Sequence, residues 1–228
     1  MARLPRLVVP GRPHLIRHST RDALPALGQD ADALAYMKAL RAASAESSVQ
    51  LHGYSLLPSE VRLLCTPREA TGLARMMQDV GRRYSAHFNA QAERRGSVWL
   101  GRFASTVVED ARFLVCLRIV ERLESPWDAG CVDAPERPRS SAGHHLGWFV
   151  EPAITEHPAY WALGNTPFAR EAAYRGLLSQ GLDTAVVAAT LSAVSKGWAL
   201  GSALFSKGVE ESTGRRAMPL PRGRPRLR

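Results

Sequence analysis

The segment HGYSLLPSEVRLLCTP, from His52 to Pro67, decides the fold. Apolar residues alternate on either side of Pro58-Ser59, a pair suited to a tight turn, so the stretch is two strands folded back on each other. The first strand covers about residues 49–57 and the second about 60–66.

Elements on both sides can be placed against this hairpin. Upstream, residues 1–13 form a basic arm broken by Pro10 and Pro13, and HLIRHST (residues 14–20) alternates as a first strand. Asp30 is placed to cap a helix running to about Glu46, with Leu34, Met37 and Leu40 on one face. Downstream, Thr66 and Glu69 have capping-box spacing and Pro67 suits a first helical position, which predicts a helix start there. Leu73, Met76, Met77, Val80, Tyr84 and Phe88 recur at helical spacing as its buried stripe, and Arg75, Arg82 and Arg83 lie off it. The loop AERRGSVWLGRF brings Arg94, Arg95 and Arg102 around Trp99. STVVED (residues 105–110) is another strand, and Asp110 is placed to cap a helix carrying Phe113, Leu114, Leu117, Val120 and Leu123 that stops before Pro126. After a loop over residues 135–158, Thr166-Pro167 opens a helix, Asp183 caps another that Gly197 stops, and a last one starts near Ser202. The organisation expected is an α+β domain over residues 1–150, a helical module over 160–212 and a basic disordered tail over 213–228.

The chain of 228 residues has a net charge of +9, and arginines greatly outnumber lysines among its 30 basic residues. No apolar run approaches the ~20 residues a spanning helix needs, and the N-terminus is too short and too broken for a secretory signal. A basic, arginine-rich domain without a membrane signal points to nucleic acid. Cys65, Cys116 and Cys131 are odd in number and lack CxxC spacing, which fits buried thiols in a reducing cytoplasm.

The order of elements, with HGYSLLPSEVRLLCTP, MMQDVGRRYSAHFN, GSVWLGRFASTVVED, PWDAG and SSAGHHLG, resembles the REP-associated tyrosine transposases, a branch of the HUH single-strand DNA transposases. The resemblance covers nearly the whole chain. It implies a four- or five-stranded antiparallel sheet, HUH/ferredoxin-like, with helices packed on one face. It also implies a cytoplasmic, nucleoid-associated bacterial protein, monomer or homodimer, that acts on DNA and takes no small-molecule substrate. In that family two histidines, one residue apart on a central strand, hold Mg or Mn. The metal polarises the scissile phosphate, and a helical tyrosine attacks to form a phosphotyrosine link.

This sequence departs from that pattern at the chemistry. Glu60 and Arg62 stand where the histidines would be, and a guanidinium adds positive charge instead of a ligand. The tyrosine would fall at Ile119 or Val120, and a third ligand near Leu123 or Glu124. No tyrosine occurs between Tyr84 and Tyr160. The expectation is therefore no catalytic residue, no metal and no cofactor. The alternatives are an active transposase with a relocated metal site, for which His52 with Glu60 and the pair His144-His145 are the candidates, and an interaction module that keeps only the fold.

Binding features persist. Arg82, Arg83, Arg94, Arg95 and Arg102, interleaved with Trp99 and Phe103, suit a phosphate track, the two aromatics fitting core or base stacking. At the C-terminus PRGRPR resembles the core of an AT-hook, whose narrow run can place Arg222, Arg224 and Arg226 along an A·T minor groove.

Overall fold

The computed structural model describes residues 6–121 and 139–219. Strands β1 (His14–Ser19), β2 (Val49–Leu57), β3 (Glu60–Pro67) and β4 (Ala104–Val107) form one antiparallel sheet in the order β2-β3-β1-β4. The helices are α1 (Asp30–Glu46), α2 (Gly72–Gln91), α3 (Phe113–Glu121), α6 (Pro167–Ser179), α7 (Thr184–Lys196) and α8 (Ala203–Thr213), with single turns α4 (Ala142–His145) and α5 (Pro158–Trp161). The fold is α+β, as the hairpin pattern implies.

Strand β3 explains the layering. It is buried at every position and has a neighbour on each side, so both of its faces need cover. Alternation sends Val61, Leu63 and Cys65 to one face, with Ile16, Tyr54 and Leu56, against Tyr36, Met37 and Leu40 of α1 and Leu73, Met76, Val80 and Tyr84 of α2. Leu64 and Leu15 point the other way, into a second core with Phe113, Cys116, Leu117, Val120, Tyr160, Tyr174 and Val194. Helices therefore cover both faces, not one. The C-terminal helices help close the second face, because α6 and α7 supply Tyr174 and Val194 to the core beneath β1 and β3. Trp99 and Phe103 belong to the first core, and Trp99 stacks on His18 at 4.1 Å between ring centroids, so neither ring is free to stack on bases.

Helix ends divide into local and long-range cases. Thr166 accepts from the Ala169 amide at 3.2 Å, Asp183 from Ala185 at 2.8 Å and Ser202 from Phe205 at 3.1 Å. Gly197 ends α7 at φ +68°, in the left-handed region glycine enters freely. Helix α2 starts at Gly72 and not at Pro67. The hydroxyl of Thr66, free in a capping box, is bonded to His52 Nε2 at 2.8 Å, and the Pro67 carbonyl accepts from the Gly11 amide at 2.8 Å, which keeps the chain extended. Asp30 is the first residue of α1 and not its cap, and its carboxylate takes Arg139 at 2.9 Å. Asp110 likewise pairs with Arg12 at 2.9 Å, and a short turn of tighter helix, Asp110–Arg112, precedes α3.

Residues 214–219 dock on the body of the protein: Ala217 is fully buried and its carbonyl accepts from the Ala199 amide at 2.8 Å. The segment PWDAG, Cys131, Leu123, Glu124 and the PRGRPR stretch with Arg222, Arg224 and Arg226 lie outside the described residues.

Candidate functional site

Positions 60 and 62 of β3 point toward the face that carries α3, and the register decides what surrounds them. Arg62 lies opposite Arg17 of β1 and Ser55 of β2, and Glu60 lies opposite Ser19. Two guanidinium groups directly across a ladder repel each other. Glu60 resolves this by bridging them. Its Oε1 accepts from Arg62 Nε at 2.8 Å, and its Oε2 accepts from Arg17 Nε and from Ser19 Oγ at 3.2 Å. Glu60 and Arg62 are 7% and 6% exposed, and the Arg17 side chain is partly exposed. Both carboxylate oxygens are committed to cations. This donor set does not fit a divalent metal, and no metal-assisted step is derived for it. Among the described residues no three His, Cys, Asp or Glu side chains converge on a common point.

Ile119 and Val120 are buried aliphatic side chains on α3. The next residue, Glu121, is the one sequence reasoning missed. Its Oε1 accepts from Ser141 Oγ at 2.5 Å and from His145 Nδ1 at 2.7 Å, and its Oε2 from Tyr174 OH at 2.5 Å. Ser141 Oγ also accepts from the Tyr54 amide at 2.8 Å. Every member of this network is buried. Burial, then the neighbouring Glu121 carboxylate, holds the Tyr174 phenol well above its ordinary range. A protonated phenol enclosed in a core cannot reach a phosphate, so the network ties α3, α4 and α6 to β2. The sequence held one trace of it, the paired His144-His145. The two imidazoles diverge: His145 turns to Glu121, and His144 Nδ1 accepts from the Glu151 amide at 3.2 Å. They share no ligand position.

His52 is also committed. Its Nδ1–H donates to the Thr155 carbonyl at 2.6 Å, which leaves Nε2 to accept from Thr66 Oγ1. Its strand position faces the Thr66 end of β3, the far end from Glu60, so the pairing of His52 with Glu60 on a metal is not formed. Burial pushes His52 down to about 4, with the neighbouring His157 and His145 adding to the effect. His14 sits at about 4 for the same main reason, its Nδ1–H donating to the Arg12 carbonyl and its Nε2 accepting from the Val9 amide. Both are neutral structural imidazoles at neutral pH.

The arginines fall into groups. On α2, Arg82 pairs with Asp79 at 2.6 Å, and Arg83 with Glu46 and Asp79, both at 2.8 Å. In the following loop, the Arg94 guanidinium lies 5.8 Å from the Phe88 ring centroid, and Arg95 is exposed. Arg102 belongs elsewhere. It is exposed beside β4 and shares a groove with Arg6, Lys196 and Arg215 instead of with the α2 arginines. Spacing along the chain suggests one arginine track, whereas the fold separates Arg102 from Arg82 and Arg83.

No protein-family model and no curated protein matches the sequence. Among solved structures, a REP-associated tyrosine transposase bound to a REP hairpin is similar at 14% identity and a TM-score of 0.48, over 69% of this chain and 92% of that one. A candidate transposase from Deinococcus radiodurans is similar at 20% identity and a TM-score of 0.37, over 50% of this chain and 92% of that one.

Proposed function

We propose that this chain is a DNA-binding protein of the REP-associated tyrosine transposase type that no longer cleaves strands, and that its ligand is single-stranded or hairpin repeat DNA. The observation that carries the reading is the Arg17–Glu60–Arg62 cluster. At the two strand positions where the resemblance calls for imidazole ligands, the side chains form a closed ion bridge that stabilises the sheet. The buried aliphatic pair Ile119 and Val120 in the tyrosine's place supports the same reading. What persists is positive charge without its chemistry. Arg95 and Arg102 form the exposed part with half-buried Arg94 beside them, Arg82 and Arg83 an ion-paired flank, and PRGRPR a C-terminal arm for an A·T minor groove. The chain would act at the bacterial nucleoid, without metal or small-molecule substrate.

The test has two halves. A gel-shift with hairpin DNA at two salt concentrations should show binding that weakens with salt. Labelled single-stranded repeat DNA with Mg²⁺ or Mn²⁺ should remain uncut. Salt-insensitive or absent binding overturns the DNA reading, and a cleaved product overturns the loss of catalysis. Removing residues 221–228 should weaken binding to A·T-rich duplex arms more than to G·C-rich ones.

A further inference from the structure

Strand β4 is an edge of the sheet, and its outer side is only partly closed. The Val107 carbonyl accepts from the Leu200 amide at 2.9 Å, and the Phe103 carbonyl accepts from the Arg6 guanidinium at 3.3 Å. In an antiparallel ladder alternate residues point their backbone groups to the same side, so Ser105 also turns its N–H and C=O outward. Among the described residues no backbone group pairs with Ser105 on that side. A groove of about 310 Å³ opens between Phe103–Ala104–Ser105, the C-terminal end of α7 and Arg215.

The groove is lined by Arg6, Arg102, Lys196 and Arg215, and no carboxylate is among its described lining residues. Arg102 and Lys196 are exposed, in contrast to Arg82 and Arg83, which face acids one turn away. One further feature points to an absent acceptor. Arg215 donates Nη2 to the Gly197 carbonyl at 3.3 Å, yet its Nε and Nη1 are buried without a partner. Capping the end of α7 accounts for one nitrogen of Arg215. It accounts for neither of the others, nor for Arg102 and Lys196 on the same groove. Buried donors are normally matched, and a guanidinium fork beside an ammonium matches the oxygens of a phosphate.

We propose that this groove is a phosphate subsite that seats a phosphodiester of single-stranded DNA on Arg102, Lys196 and Arg215. The phosphate chemistry stands on the groove alone, whereas the DNA source rests on the function proposed above. An acidic peptide added as a strand fits less well. Strand addition needs a run of open ladder positions, and here Phe103 and Val107 are occupied on either side of Ser105.

The test uses the full chain and the double variant R102Q/K196Q, whose side chains are exposed, so its fold should survive; its thermal unfolding is compared with wild type as a check. Fluorescence anisotropy with labelled single-stranded DNA across a salt series should show binding weakened about tenfold. The salt slope should fall by about 1.4, two contacts at ~0.7 each. In parallel, inorganic phosphate at ionic strength matched with chloride should raise the wild-type Tm and leave R102Q/K196Q unmoved. Wild-type DNA binding that the double variant leaves untouched overturns the groove while the DNA-binding function stands. Phosphate stabilisation without wild-type DNA binding keeps the phosphate site and overturns its DNA source. Competition by a poly-glutamate peptide as effective as DNA of equal charge overturns the phosphate assignment.

Discussion

Two groups of cations sit at opposite ends of the same structural logic. In the first, Arg17 and Arg62 face each other across β1 and β3, and Glu60 closes both into a bridge. In the second, Arg102, Lys196 and Arg215 line a groove at the edge of β4, with no carboxylate beside them among the described lining residues. The sheet interior cannot carry unmatched charge, because a buried ion without a partner bears its desolvation cost uncompensated. The edge can, since its cations keep contact with solvent. Charge that is matched internally serves the fold, and charge left unmatched at a surface is available to a ligand. The Arg17–Glu60–Arg62 bridge belongs to the first class, and the proposed binding surface to the second.

The largest effect should come from breaking the matched group. Glu60→Ala leaves two opposed guanidinium groups on a ladder, one of them buried, and should lower stability by about 3–5 kcal/mol. The urea midpoint measures it, with the slope of the transition unchanged. A loss under about 1 kcal/mol would mean that the bridge is an ordinary surface pair.

Acid should then separate the buried imidazoles from the rest. His14, His18 and His52 are each lowered to about 4, chiefly by burial. The unfolded chain therefore binds protons between about 6.5 and 4 that the folded chain refuses, and stability falls as pH drops through that window. Above about pH 6.5 these groups should leave stability flat. Tm measured from pH 7.5 to 4.5 checks the sign, and a Tm rising on acidification would contradict the neutral assignments.

A smaller effect belongs to the hinge between α7 and the groove. Gly197 has φ +68°, and a Cβ there would lie 3.0 Å from Arg215 Nη2. Gly197→Ala should cost about 1 kcal/mol for the left-handed backbone and should displace Arg215, so that DNA binding falls with it. The smallest effect is expected on the α2 surface. Arg82→Ala and Arg83→Ala remove cations already paired with Asp79 and Glu46. Binding should change less than with R102Q/K196Q, which anisotropy under the same conditions will show.

Local signals in the sequence carried much of the fold. The hairpin is found over β2 and β3 with its turn at Pro58-Ser59, since alternation and a proline turn are properties of a few adjacent residues. The caps at Thr166, Asp183 and Ser202 and the stop at Gly197 are equally local. The start of α2 was not legible, because Thr66 is claimed by His52 across the hairpin and Pro67 by Gly11. The cover on the second sheet face was missed for a related reason: it depends on β3 being a central strand, which composition does not state. At the site, positions 60 and 62 were legible as a departure from a pattern, but the ion bridge depends on Arg17 arriving by register. The Glu121 network joins residues from α3, α4 and α6. The groove draws on residues 6, 102–105, 194–197 and 215, and no window of the sequence contains it.

The function proposed above is DNA binding without strand cleavage. The most direct measurement incubates the full chain with end-labelled hairpin repeat DNA and Mn²⁺, then resolves the mixture under native and denaturing conditions. The account predicts a salt-sensitive complex on the native gel and only intact, protein-free DNA on the denaturing one. A covalent protein–DNA adduct would contradict it.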